Sequence, residues 1–214
     1  MATSRTVIQP LDPSAGRKPP PPGESSNGNG GGPSGSPGAP HVAILGIWVA
    51  LAPILMLFLA FVSAYIVRRG LGSNWSAVPV PGVLWVNTAV LLLSSVLLER
   101  ARRIVGGGST ARAWFLATLL CGAVFVVGQG MAWSQLSARG IGISSSAHSS
   151  FFYLLTGTHA VHLGGGLLAL TAAAFWPPRQ FGMSRAIAAR VTSIYWHFMG
   201  ILWVGLFLVL SFWR

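Results

Sequence analysis

Acidic side chains are nearly missing from this chain: among 214 residues only Asp12, Glu24 and Glu99 carry a carboxylate, and the first two lie in a polar amino-terminal stretch. A proton-pumping relay built within the chain would need a succession of such groups, so with Glu99 alone none is expected. Cysteine is scarcer still. Cys121 stands by itself, which excludes an intrachain disulfide and a thiolate metal cluster and leaves a small core residue. Charged residues of all kinds make up 8% of the chain, far below what a soluble domain carries, and residues 1–40 offer no apolar run of signal-peptide length. Nor does any segment alternate apolar and polar residues, as a membrane β-barrel would.

What is present instead is uncharged apolar sequence. Hydrophobic residues reach 52%, and after Pro40 five stretches are long enough to cross a hydrocarbon layer: about 41–67, 82–99, 112–136, 149–175 and 187–213. A helical span needs about 20 such residues. The predicted fold is therefore all-α, an integral membrane bundle of five transmembrane helices. Breaks between them are chemically marked by Arg68-Arg69-Gly70, Val78-Pro-Val-Pro-Gly82, Gly106 to Gly108 and Pro177-Pro178. Trp75, Trp85, Trp114, Trp133, Trp176 and Trp213 fall near the ends of the spans, where an amphipathic ring suits the headgroup layer.

Residues 1–40 are a different material. They hold nine of the 14 prolines and eight of the 27 glycines, and such a segment cannot bury enough surface to offset its ordering entropy. A cytoplasmic, disordered-type tail (1–40) followed by a transmembrane domain (41–214) is the expected organisation. Orientation follows from the basic residues. Ten of them (Arg5, Arg17, Lys18, Arg100, Arg102, Arg103, Arg112, Arg179, Arg185 and Arg190) fall on one side, against Arg68, Arg69, Arg139 and Arg214 on the other. The richer side is expected in the cytoplasm, which puts the carboxyl terminus outside. The net charge of +11 is thus a topology signal, and scattered loop arginines do not make a nucleic-acid surface. Glu99, with Arg102 and Arg103 at helical pairing distance, is expected to form an interfacial ion pair of small energetic worth.

The chemically unusual feature is a pair of histidines, His159 and His162, inside the fourth span, with His197 in the fifth. Three imidazoles are the donor set of a zinc or copper site with an open position, and one of the pair with His197 could sandwich a haem. The commoner fate of a buried neutral histidine is a hydrogen-bond bridge between helices, here with Thr156, Thr158, Gln129 or Tyr195 as companions. Bridging predicts that leucine at 159 or 162 destabilises the assembly without changing metal content. Gly157, Ala160 and Gly164 to Gly166 give the same helix a surface for close approach, and Asn87, Ser94 and Ser95 form a weaker polar stripe on the second.

The segment Ser150-Phe-Phe-Tyr-Leu-Leu-Thr-Gly-Thr-His-Ala-Val-His162, together with Tyr195-Trp-His-Phe198, resembles subunit III of the haem-copper oxidases, in its five-helix bacterial form. Leu45-Gly-Ile-Trp48, the Asn87 to Ser95 stretch, and Gly122 with Phe125, Gln129 and Trp133 support the resemblance across all five spans. It implies an accessory subunit of the bacterial plasma membrane, with no catalytic residues and no cofactor of its own. Haem and copper would sit in partner chains, and the chain would dock on the catalytic subunit I, contact other oxidase subunits and hold phospholipid, with membership of a respiratory supercomplex left open. Candidate contacts to subunits or lipid are then His159, His162, Thr156, Gly157, Gln129, Trp133, Tyr195, Trp196 and His197. The chain departs from the family at three buried acids, whose positions are taken here by Ile54, Ala132 and Gly200. Pro53, beside the first of them, is expected to open helix one locally to fit a partner or lipid.

Overall fold

The computed structural model describes residues 39–71, 78–105, 109–175 and 184–212. The expected tail lies outside them up to residue 38, as do Trp75, Trp176, Trp213 and the breaks at Gly106 to Gly108 and Pro177-Pro178. Within them the chain forms helices α1 (Ala39–Gly70), α2 (Val83–Arg103), α3 (Ser109–Ala138), α4 (Ala147–Phe175) and α5 (Arg185–Phe212), with no strand among the described residues. All five are long and apolar enough to cross a membrane.

The helices overrun the predicted spans because an apolar stretch ends at the first charge, whereas a helix continues into the headgroup zone. Arg100, Arg102 and Arg103 occupy the last turn of α2, where cations suit the carbonyl end of the helix dipole. There Glu99 accepts hydrogen bonds from Arg102 Nη2 at 2.6 Å and Arg103 Nε at 3.0 Å, the expected ion pairs. The α3–α4 turn is specified more tightly. Gly140 takes φ +76°, which lets its own amide reach Ser137 O at 2.9 Å and the Ile141 amide reach Leu136 O at 3.0 Å, closing α3 with a Schellman motif. Five residues after Ile141, Ser146 caps the start of α4 reciprocally with Ser149, each hydroxyl accepting the other's backbone N–H at 3.1 and 2.9 Å.

Helices α2 to α5 pack as a closed ring, α2 on α3, α3 on α4, α4 on α5 and α5 back on α2, while α1 lies outside against α4 and α5. Leu91, Leu98, Phe125, Phe152, Leu155, Leu163, Trp196 and Trp203 fill the ring. Helix α1 turns Phe58 and Tyr65 inward and presents Val42, Val49, Met56, Leu59 and Val67 outward, an apolar exterior suited to lipid or another helix. It runs unbroken through Pro53, which is exposed on that outer face.

Candidate functional site

In a bilayer, apolar contact between helices gains little over contact with lipid, so association relies on small residues, close packing and hydrogen bonds. Each seam of the ring carries such a bond. Asn87 Nδ2 on α2 donates to Phe125 O on α3 at 3.1 Å, and Trp133 Nε1 on α3 donates to Thr156 Oγ1 on α4 at 3.1 Å. Tyr195 Oη on α5 donates to the His162 carbonyl on α4 at 2.7 Å. The last seam has two rungs seven residues apart on α5, Trp196 Nε1 to Ser94 Oγ at 2.9 Å and Trp203 Nε1 to Thr88 Oγ1 at 3.0 Å, both hydroxyls on α2.

Trp196 is the centre of this arrangement. It is fully buried, and its ring lies in a slot between two glycines on different helices. A Cβ on Gly122 would stand 2.7 Å from Trp196 Cη2 and 2.6 Å from Leu167 Cδ2, closer than carbon atoms tolerate. A Cβ on Gly166 would stand 3.0 Å from Tyr195 Cε1 and 3.2 Å from Trp196 Cε3. The Tyr195-Trp196 pair thus ties α5 to α4 with one residue and to α2 with the next, against glycines of α3 and α4. Gly157 has only Trp133 nearby, 3.9 Å from where its Cβ would be.

The histidines do not play the part expected of them. His159 is fully buried, but among the described residues neither ring nitrogen meets a hydrogen-bond partner. Its imidazole sits among aromatic rings of three other helices: Trp203 at 5.0 Å between centroids, Phe125 at 5.9 Å and Phe58 at 6.4 Å. His159 bridges helices by ring packing rather than by hydrogen bonds. His162 Nδ1 stays within α4, 2.8 Å from Thr158 O, and its ring meets Phe58 at 5.7 Å. Of the expected companions, Thr158 and Tyr195 meet His162 through backbone carbonyls, its own in the case of Tyr195, while Thr156 bonds Trp133 and Phe152 O. The Gln129 amide is buried without a partner among the described residues.

Nor do the imidazoles converge. His197 lies at the end of α2, its Nε2 4.0 Å from Glu99 Oε2, whereas His159 is enclosed by Phe58, Phe125 and Trp203. Among the described residues no three His, Cys, Asp or Glu side chains gather where they could hold a metal ion. Of the three residues where the resemblance implies acids in the family, Ala132 is fully buried, Ile54 packs on the core, and a Cβ on Gly200 would meet Ser95 Oγ at 3.5 Å. Cys121 is half-buried.

Some polar contacts lay outside the sequence reading. Trp203 and Thr88 form a rung, and His148, fully buried, accepts the Val78 amide at Nδ1 (3.2 Å) while packing on Tyr65. A signal existed for the first. A tryptophan in mid-span, away from the headgroup layer, needs an acceptor for its indole N–H.

A model of the family described as cytochrome c oxidase subunit III matches residues 42–214. The chain belongs to that family. Among proteins similar to this subunit III chain is "Probable cytochrome c oxidase subunit 3" of Nocardia farcinica, 37% identical over 182 residues that cover 82% of this chain and 90% of that one. The protein so named in Mycobacterium leprae is 36% identical over 186 residues, with coverage of 82% and 90%. "Cytochrome c oxidase subunit 3" of Corynebacterium diphtheriae is 34% identical over 183 residues, with coverage of 81% and 89%. Family and helices together make this a multi-pass membrane subunit of a terminal oxidase, and the rungs at Trp133–Thr156 and Tyr195–His162 place subunit III resemblance residues in its internal seams.

Proposed function

We propose that this chain is an accessory, non-catalytic subunit of a proton-pumping respiratory oxidase. It stabilises the catalytic subunit I and holds lipid against it, while the partner chains bind haem and copper and reduce oxygen to water. The observation that carries this reading is where the polar groups are spent. Asn87, Ser94, Thr88, Trp133, Thr156, Tyr195, Trp196 and Trp203 all close seams of the chain's own bundle, and His197, beside Glu99, stands apart from His159 and His162, which share Phe58. A rigid bundle with an apolar outer face is suited to packing on another membrane protein. With Ile54, Ala132 and Gly200 at the acid positions, it lends no buried carboxylate there to proton uptake. The ten-to-four distribution of basic residues supports a cytoplasmic amino terminus, with residues 1–40 as a cytoplasmic tail.

Affinity capture of the tagged chain from mild detergent is expected to bring down a haem- and copper-containing oxidase. His159→Leu is expected to leave the metal and haem content of that complex unchanged and the bundle within about 1.5 kcal/mol of wild type, since the imidazole makes ring contacts and no hydrogen bond within the described bundle. Stoichiometric loss of metal or haem from the chain purified alone would instead support a metal- or haem-binding carrier using His159, His162 and His197.

A further inference from the structure

Where α2 ends beside α5, a cleft of about 480 Å³ is lined by Ser95, Val96, Glu99, Arg100, Arg103 and His197. Its charge is lopsided. Glu99 is the one carboxylate and is shared by Arg102, through Nε at 2.8 Å and Nη2 at 2.6 Å, and Arg103, through Nε at 3.0 Å. Three guanidinium groups against one carboxylate leave a surplus of two positive charges at this helix end. Arg100 is exposed and forms no ion pair among the described residues.

Away from the arginines the cleft runs into apolar surface. Val96, 58% exposed, continues the α2 face of Leu92 and Leu93, and one turn past His197 on α5 stands Ile201, 74% exposed. Between these walls the helices touch, Ser95 lying against Gly200. The exposed face of α2 continues to Trp85, whose ring packs edge-on against Phe207 of α5 at 4.7 Å. From Val96 to Trp85 is about 16 Å of helix, room for most of an acyl chain.

An uncompensated basic cluster at the head of an apolar groove, on a helix that spans a membrane, selects an amphiphile with an anionic head and a hydrocarbon tail. We propose that this cleft binds an anionic phospholipid, its phosphate held by Arg100 and Arg103 and one acyl chain lying along Val96, Leu92 and Ile201. The site rests on the lipid-holding role proposed above and gives it an address. A zwitterionic lipid is disfavoured, because its quaternary ammonium would sit beside the same arginines. A free phosphate would use the arginines and ignore the groove.

The test uses the detergent-purified oxidase complex containing this chain, stripped of lipid and titrated with phosphatidylglycerol, phosphatidylcholine or inorganic phosphate, with bound molecules counted by native mass spectrometry. Wild type is expected to prefer phosphatidylglycerol over phosphatidylcholine by about tenfold, the scale of one charge-assisted contact at a membrane surface. Arg100→Gln is expected to bring the two near parity. Val96→Gln is expected to weaken the lipid and leave phosphate unchanged. Arg190→Gln removes the same charge from an exposed α5 position outside the cleft, and is expected to change neither. Equal losses in Arg100→Gln and Arg190→Gln would reduce the effect to general surface charge, and phosphate binding as tightly as the lipid would remove the groove from the site. Either result overturns the proposal. If the chain brings down no oxidase, the accessory-subunit reading falls, and the same titration on the chain alone in nanodiscs still decides the lipid site.

Discussion

Trp196→Ala is expected to be the most damaging single truncation in the described bundle, lowering its stability by about 3–5 kcal/mol, the range for deleting a fully buried aromatic ring. The reason is the slot. Gly122 of α3 and Gly166 of α4 admit the indole only because neither carries a Cβ, so these two walls of the slot have no side chain of their own to fill the space the ring leaves. The α5–α2 and α5–α4 seams loosen together, and α3 loses the indole that rests on Gly122. The measurements are denaturant titration of the purified chain in mixed micelles, read by helicity, and retention of the variant in the detergent-purified complex. Two further variants divide the effect. Ser94→Ala removes the acceptor of the indole N–H, along with the hydroxyl's own bond to Leu91 O within α2, and the loss across the seam is expected to cost about 0.6 kcal/mol, the mean for such a bond within a membrane bundle. Trp196→Phe keeps most of the ring and should fall between them. If alanine at 196 costs no more than alanine at 94, the ring is not what holds the slot.

The five helices were legible in hydropathy alone, because only a helix satisfies every backbone amide of an apolar span in lipid. Which face of each helix turns inward was not. In a water-soluble bundle the outer face is polar and periodicity reveals the core; here Val96 and Val161 face outward and Leu91 and Leu163 inward, with the same chemistry on both sides. Polar residues were therefore the only guide to the interior. They served well for Asn87, Ser94 and Thr156, each of which lies in a seam. They misled for the histidines, because sequence spacing puts two imidazoles on one helical face but cannot distinguish a ring that donates a hydrogen bond from one that is merely packed. His159 meets Phe58, Phe125 and Trp203 from three separate helices, and no local pattern encodes that meeting. The Trp203–Thr88 rung was readable from a mid-span indole, yet its partner lies 115 residues away and only the fold brings it near. Pro53 shows the converse. A proline in mid-helix signals a local opening, but α1 continues through it, and its ring faces outward where no neighbouring helix of this bundle is disturbed.

Gly128→Ala, a change of one methyl group, is expected to cost about 2–4 kcal/mol. Asn87 of α2 lies directly on the α-carbon of Gly128, so a Cβ there would overlap the amide group itself. Asn87 is almost fully buried, and its Nδ2 donates to Phe125 O at 3.1 Å. Making room for the methyl group pushes the amide off that carbonyl, adding an unpaired polar group to the overpacking; each contributes about 1–3 kcal/mol in buried settings. A simple loss of helix flexibility predicts the opposite sign, since alanine is the better helix former by about 1 kcal/mol. The two accounts separate in a double-mutant cycle. Asn87→Ala alone loses the bond and leaves a small void, while Asn87→Ala with Gly128→Ala puts the new methyl group into the space the amide vacated. The double variant is therefore expected to be more stable than Gly128→Ala alone, with a coupling energy of about 1–3 kcal/mol. Additive effects would mean that the asparagine does not oppose the methyl group, and would sink the view that the α2–α3 seam is set by an amide seated on a glycine.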